Sequence, residues 1–147
     1  MFKKEKNIMQ NTLPKENIKK YALSGKAQIT LFNEKTQNKV SMSFKRGKGK
    51  YSNIVHVRSE ENRYIGFFSV ENGEPNDLKT TYKTTLEEDS REVLTAKWIV
   101  SKMRTEDYPD FIKVGHNGQC SKCGRELTDP ESVKQGFGPI CRKKMGI

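Results

Sequence analysis

The 147 residues suffice for one ordinary domain, or for a small domain with an appendage. With 33% apolar and 31% charged residues the core must be modest, yet seven Phe, five Tyr and one Trp exclude a wholly disordered chain. No run approaches the roughly 18 apolar residues of a membrane span, and no apolar stretch follows the basic start Met1–Lys6, so neither a spanning segment nor a secretory signal is expected. A cytoplasmic, reducing compartment follows, where clustered cysteines bind metal more often than they form disulfides. The three cysteines are also an odd number.

The net charge of +10 is unevenly spread. Residues 1–50 hold thirteen Lys/Arg against three Glu, residues 51–119 nine basic against twelve acidic, and residues 120–147 six against three. The positive excess therefore sits at the two ends. Such an excess expects a polyanionic partner, nucleic acid first, through phosphate contacts and counterion release, with a solubility device as the plainer alternative.

Residues 1–20 are polar and lysine-rich with a lone Pro14, and read as a flexible basic leader with room for a short turn of helix at its end. Residues 21–108 read as an α+β domain. From Lys26, Ala27, Ile29 and Leu31 alternate with Gln28, Thr30 and Phe32; beyond the polar stretch 33–38 the alternation resumes with Val40, Met42 and Phe44, which makes a β-hairpin. After the glycine-punctuated segment Lys45-Arg46-Gly47-Lys48-Gly49-Lys50 come two more strands. One carries Ile54, Val55 and Val57, the other Tyr64, Ile65, Phe67, Phe68 and Val70, with Glu60-Glu61-Asn62 as the turn. Four locally connected strands form an antiparallel sheet with one face to be covered.

Glu71 to Asp89 reads as a long polar loop. Asp89 or Ser90 then caps a helix whose Val93, Ala96, Val100 and Met103 form an apolar stripe, broadened by Leu94 and Trp98 and ended before Pro109. This helix is the expected cover. The fold class is thus α+β: an antiparallel sheet of about four strands covered by one helix, plus a small C-terminal zinc knuckle in residues 109–147.

In the knuckle, Cys120 and Cys123 are separated by two residues, and Gly124 suits the backbone turn that follows them. His116 stands four residues before Cys120 across Gly118, so its ring can reach the same ion, and Cys141 is separated from Cys123 by seventeen residues. Thr128 or Asp129 with Pro130 starts a short helix, Gly136 can end it, and Gly138-Pro139 opens a last turn carrying Cys141 near a helix N-terminus. Three thiolates and an imidazole satisfy tetrahedral Zn²⁺, at roughly 2.3 Å to sulfur and 2.0–2.1 Å to nitrogen. Structural zinc contributes on the order of 10 kcal/mol in small peptides, which offsets the shortage of apolar residues here: Leu127, Val133, Phe137 and Ile140. The competing readings are an incidental cysteine pair with a stray thiol, and a redox pair, which lacks a βαβ context. His56 is the other histidine and reads as a sheet residue.

The pattern His116-x-Gly118-x-Cys120-x-x-Cys123-Gly124-Arg125, then Leu127-Thr128-x-Pro130-x-Ser132, then Gly136-x-Gly138-Pro139-x-Cys141 resembles the zinc-binding module of small bacteriophage and mobile-element proteins, a module also seen attached to helicase-like ATPases. Tyr21 to Leu31 is similar to the opening strand of phage proteins carrying this tail. The resemblance implies a phage origin, a host-cell cytoplasmic setting and metal binding; it brings no established activity.

Lys45, Arg46, Lys48 and Lys50 could approach phosphates, although the segment lacks the spacing and Lys-Ser/Thr ending of a Walker loop. Lys122, Arg125, Arg142, Lys143 and Lys144 surround the metal site as a second phosphate-binding set, with Arg125 alternatively bracing a carbonyl. Tyr64, Phe67 and Phe68 offer a stacking platform or, more ordinarily, core; alternation sends Phe67 and Phe68 to opposite faces. No nucleophile–His–acid set is present, and Glu87-Glu88-Asp89 reads as a solvated helix start, so an enzyme with a small-molecule substrate is not expected. The expected function is a non-enzymatic phage accessory protein that binds nucleic acid through its basic ends. The alternative is a counter-defence inhibitor that binds a host protein.

Overall fold

The two alternating runs around residues 33–38 pair as a hairpin because their apolar sets fall in register: Ala27 opposite Phe44, Ile29 opposite Met42, Leu31 opposite Val40. The turn between them is closed by Asn33, whose Oδ1 accepts from the amides of Lys35 (2.9 Å) and Thr36 (3.2 Å). The computed structural model describes residues 11–146. Its strands are β1 (Lys26–Asn33), β2 (Asn38–Arg46), β3 (Ile54–Ser59), β4 (Tyr64–Glu71), β5 (Glu74–Pro75) and β6 (Ile112–His116). Its helices are α1 (Lys15–Ala22), α2 (Arg91–Thr105), α3 (Pro130–Gln135) and α4 (Pro139–Met145).

The fold is α+β, with six strands in the order β5-β4-β3-β2-β1-β6, each paired antiparallel to its neighbour. The four expected strands are present, and two more extend the sheet. At one edge β5 pairs with β4, and the chain beyond it stays close: Phe67 and Lys79 exchange both backbone hydrogen bonds (3.0 and 2.8 Å). Gly66 permits that approach, since a Cβ there would fall 2.3 Å from the Lys79 carbonyl oxygen. Residues 71–89 are therefore tied to the sheet more closely than a long loop would be. At the other edge β6 pairs with β1, placing His116 opposite Ile29 and Val114 opposite Leu31. The outer side of β6 is covered in turn, as the Leu13 amide donates to Val114 O (2.8 Å) and the His116 amide to Asn11 O (3.1 Å).

The inward face of the sheet carries Ala27, Ile29, Met42, Phe44, Val57 and Phe68, all buried, with Phe44 and Phe68 in edge contact at 5.8 Å. A β-bulge between Val57 and Arg58 re-registers β3 on β4, which lets Ile65 and Gly66 both be buried. Helix α2 covers this face through Val93, Ala96, Ile99, Val100 and Met103. Ser90 is its cap, the hydroxyl accepting from the Val93 amide at 3.3 Å. The stripe widens to include Ile99; of the two expected flanking residues, Trp98 packs half-buried against the core while Leu94 is 52% exposed.

The turn of helix expected at the end of the leader is present. The leader's first ten residues lie outside those described, but residues 15–20 belong to α1, where Ile18, Tyr21 and Ala22 recur at helical spacing and are buried. An eight-residue helix has little stability of its own. Packing holds it. Likewise, Ile112–His116 is drawn from the expected knuckle into the sheet. Among the described residues no helix is long and apolar enough to cross a membrane.

Candidate metal centre

The chain leaves β6 and folds back in a small hairpin. Leu127 donates to Gly118 O (2.8 Å), Gln119 bridges Glu126, and Cys120 donates to Arg125 O (2.8 Å). The turn at its tip closes with the Gly124 amide on Cys120 O (2.7 Å), and Gly124 adopts φ +82°, a region where glycine carries no Cβ penalty. Cys120 and Cys123 both stand on this turn.

Asp129 then caps α3, its carboxylate accepting from the Ser132 amide at 3.0 Å; Pro130 occupies the first turn and Gly136 ends the helix at φ +86°. Gly138 and Pro139 open α4, which brings Cys141 back to the turn. Each of these punctuation marks falls where the sequence placed it.

The result is a cluster in which the sulfurs of Cys120, Cys123 and Cys141 lie within 4.8 Å of one another, with Cys120 and Cys141 buried and Cys123 exposed. Burial works to raise the Cys120 thiol, but hydrogen bonds to its sulfur from the backbone of Gly138, Cys123 and Lys122, and from the Cys123 side chain, bring its pKa down to about 7. Cys141 moves the other way, pushed up to about 11 by burial and by the neighbouring sulfurs of Cys120 and Cys123. The Cys120 thiolate is thus favoured, while burial and the neighbouring sulfurs oppose negative charge at Cys141 unless a counter-charge is supplied. A divalent cation would supply that charge. An ion about 2.3 Å from each sulfur needs tetrahedral sulfurs about 3.8 Å apart, within the separation seen. The three cysteines could hold a metal ion.

His116 is not brought into this group. Its Nε2 donates to Val133 O at 2.6 Å and its Nδ1 accepts from the Gly118 amide at 2.9 Å, an arrangement that fixes the neutral Nε2–H tautomer. Burial lowers its pKa, favouring the same neutral form. The spacing allowed His116 to reach the sulfurs; its pairing opposite Ile29 instead turns the ring inward, where it links β6 to α3. Among the described residues the cluster contains no fourth His, Cys, Asp or Glu donor.

A residue not singled out from the sequence docks the cysteine module on the sheet. Tyr21 of α1 is fully buried, and its hydroxyl donates to Gln119 O at 2.9 Å. Its ring lies 5.4 Å from that of His116 and 5.9 Å from that of Phe137. A Cβ on Gly136 would fall 2.6 Å from the Tyr21 ring, so glycine there serves both the helix end and this contact. Asn17 reinforces the seam by donating to Gln135 O (3.2 Å) and Gln135 Oε1 (2.6 Å). The signal available in the sequence was the spacing Ile18-Tyr21-Ala22.

The candidate basic residues divide into two kinds. Arg46 and Arg142 face inward as braces. Arg46 donates to Leu23 O (2.6 Å) and Ser52 O (2.8 Å), while Arg142 donates to Ser132 Oγ (3.2 Å) and lies 3.7 Å from Asp129. Lys45, Lys48, Lys50, Lys122, Arg125, Lys143 and Lys144 are exposed. The start of β1 joins the two basic stretches: Lys26 pairs with Lys45, its amide donates to Ser121 O at 2.7 Å, and Gly124 packs beside its side chain. His56 stands on the outward face of β3, its Nδ1 2.9 Å from the Tyr64 hydroxyl.

Fold and site together define an α+β protein with a docked three-cysteine module. A family of unknown function, DUF6011, is matched over residues 114–146, from the end of β6 through α4; the likeness covers the module and not the sheet. No curated protein matches the chain, and no solved structure does.

Proposed function

We propose that the protein is a non-enzymatic bacteriophage accessory protein that binds nucleic acid, with a structural Zn²⁺ held by Cys120, Cys123 and Cys141. The supporting observation is that the start of β1 touches both basic stretches: Lys26 pairs with Lys45, and its amide donates to Ser121 O, next to the exposed Lys122. Zinc chemistry suits the donors, since three soft thiolates select it over harder divalent ions. The ion would fix the turn that presents Lys122 and Arg125, lowering the ordering cost of phosphate contact.

Fluorescence anisotropy with a labelled oligonucleotide, repeated across a salt series, tests the reading. Five phosphate contacts at ~0.7–0.9 each give a log–log slope of about −3.5 to −4.5. Absence of binding, or binding indifferent to salt, overturns it.

A protein partner is the second reading, as in a counter-defence inhibitor acting on a host protein. It is favoured by an apolar groove of about 520 Å³ in which Leu94, Trp98 and Phe111 stand beside Leu31 and Val40. A specific host protein retained by the tagged chain after nuclease treatment, and lost on Leu94→Glu, would favour this reading.

A further inference from the structure

Helices α1 and α2 pack on one face of the sheet, through Ile18, Val93, Ala96 and Ile99 among others. The opposite face has a composition of its own. Strand register aligns its outward residues in two rows across the sheet. One runs Lys26, Lys45, His56, Phe67; the other runs Gln28, Ser43, Arg58, Tyr64. At about 4.8 Å between strands each row spans about 14 Å, the reach of two or three nucleotides of extended strand.

Two adjoining depressions lie over these rows, of about 650 and 320 Å³, and Arg58 forms a wall of both. Four cations border them: Lys26 and Lys45 in the larger, Lys83 in the smaller, and Arg58 between. Neither is lined by any carboxylate. The larger is edged by the amide side chains of Gln28, Asn62, Asn117 and Gln119, groups that donate to and accept from base edges. The Tyr64 ring is held in place before any ligand arrives. The Tyr64 hydroxyl bonds His56 Nδ1, and the Arg58 guanidinium stands 5.2 Å from the centre of the Tyr64 ring. The two amides from residues 117–119 belong to the cysteine module, so the docked module completes one wall of the groove.

From this we infer that the outward face of β1–β4 is a binding site for single-stranded nucleic acid. Lys26, Lys45, Arg58 and Lys83 contact phosphates, and Tyr64 and Phe67 offer faces on which unpaired bases stack. The inference rests on the nucleic-acid reading above and deepens it. A paired duplex keeps its base faces stacked on one another and cannot use the rings, so single strands are selected. Charge sets the polyanion as occupant: an acidic protein surface would satisfy the lysines but leave the ring and amide pattern without use.

Anisotropy titrations of the full chain with a 12-nucleotide single strand and with the matching duplex test it. The wild type is expected to bind the single strand about tenfold more tightly or better, as stacking on two rings adds to the phosphate term. K45Q/R58Q/K83Q is expected to lose about tenfold or more and to flatten the salt slope by about 2, while R91Q/K134Q, on other surfaces, stays within about threefold. Should the half-buried Arg58 prove necessary for folding, K45Q/K83Q carries the same test with a slope change of about 1.4. A wild type that binds while K45Q/K83Q retains both affinity and slope, or one that prefers duplex, overturns this site and leaves the broader reading standing. A wild type that binds neither form overturns both.

Discussion

A Cys141→Ser protein is expected to lose stoichiometric zinc and the fixed order of residues 117–146, while the sheet persists with lower stability. Cys141 is the one sulfur that ties α4 to the Cys120–Cys123 turn. Removing it leaves two thiolates, too few to hold a buried structural ion against water and chelators. The module has little else to rely on: Leu127 and Phe137 are its buried apolar side chains, with Val133 and Met145 partly buried. A structural zinc site is worth on the order of 10 kcal/mol, against about 1.5–3 kcal/mol for each large apolar side chain fully buried. Elemental analysis should show the loss of metal, and amide exchange should show loss of protection at Gly124, Leu127 and Gly136, whose amides are bonded within the module. Full zinc occupancy with unchanged protection would contradict the assignment.

The second large effect is expected at Tyr21. Tyr21→Ala should cost about 3–5 kcal/mol in urea unfolding, the range for deleting a fully buried aromatic side chain. Tyr21→Phe should cost about 1 kcal/mol, since the ring stays and only the hydroxyl's bonds to Gln119 O and, at 3.3 Å, Asn117 Oδ1 are lost. The pair separates packing from hydrogen bonding. The alanine variant removes the ring on which both His116 and Phe137 rest, so the module should loosen together with α1. A cost below 1 kcal/mol for Tyr21→Ala would mean that the module is docked by other contacts.

Much of this was legible in the sequence, for reasons that differ by element. Strands β1 to β4 announced themselves by period-two alternation, because each has one buried face and one wet face. The module's turns were equally readable: Gly124, Asp129, Gly136 and Gly138-Pro139 each do a local job that depends on the chain within four or five residues. What escaped depends on distant partners. Strand β6 has only five residues and exists because β1 offers an edge; β5 has two and depends on β4. Helix α1 sits in a lysine-rich stretch whose mean polarity hides the spacing of Ile18, Tyr21 and Ala22.

His116 is the most instructive case. Its distance from Cys120 in sequence permits ligation, and only strand register decides that the imidazole bonds Val133 O and the Gly118 amide instead. Arg46 and Arg142 teach the same lesson for charge. A guanidinium in a basic segment reads as a phosphate contact, yet its planar donors serve equally to tie down carbonyls and hydroxyls, and here they do. For α2 the helical period and the stripe were right and only its flank differs: the sheet lies on the Ile99 side of the stripe, which leaves Leu94 outward.

The cysteine module and the outward face of the sheet are linked, because Asn117 and Gln119 edge the groove and the same hairpin carries Cys120. On the proposed function, metal, docking through Tyr21 and ligand contact would form one chain of dependence that begins at the sulfurs. Zinc-edge X-ray absorption on the purified full chain examines that beginning directly. The expected spectrum has three sulfurs at about 2.3 Å and one lighter donor without the multiple-scattering signature of imidazole, His116 remaining on Val133. Absence of zinc, fewer than three sulfurs, or an imidazole in the shell would contradict it.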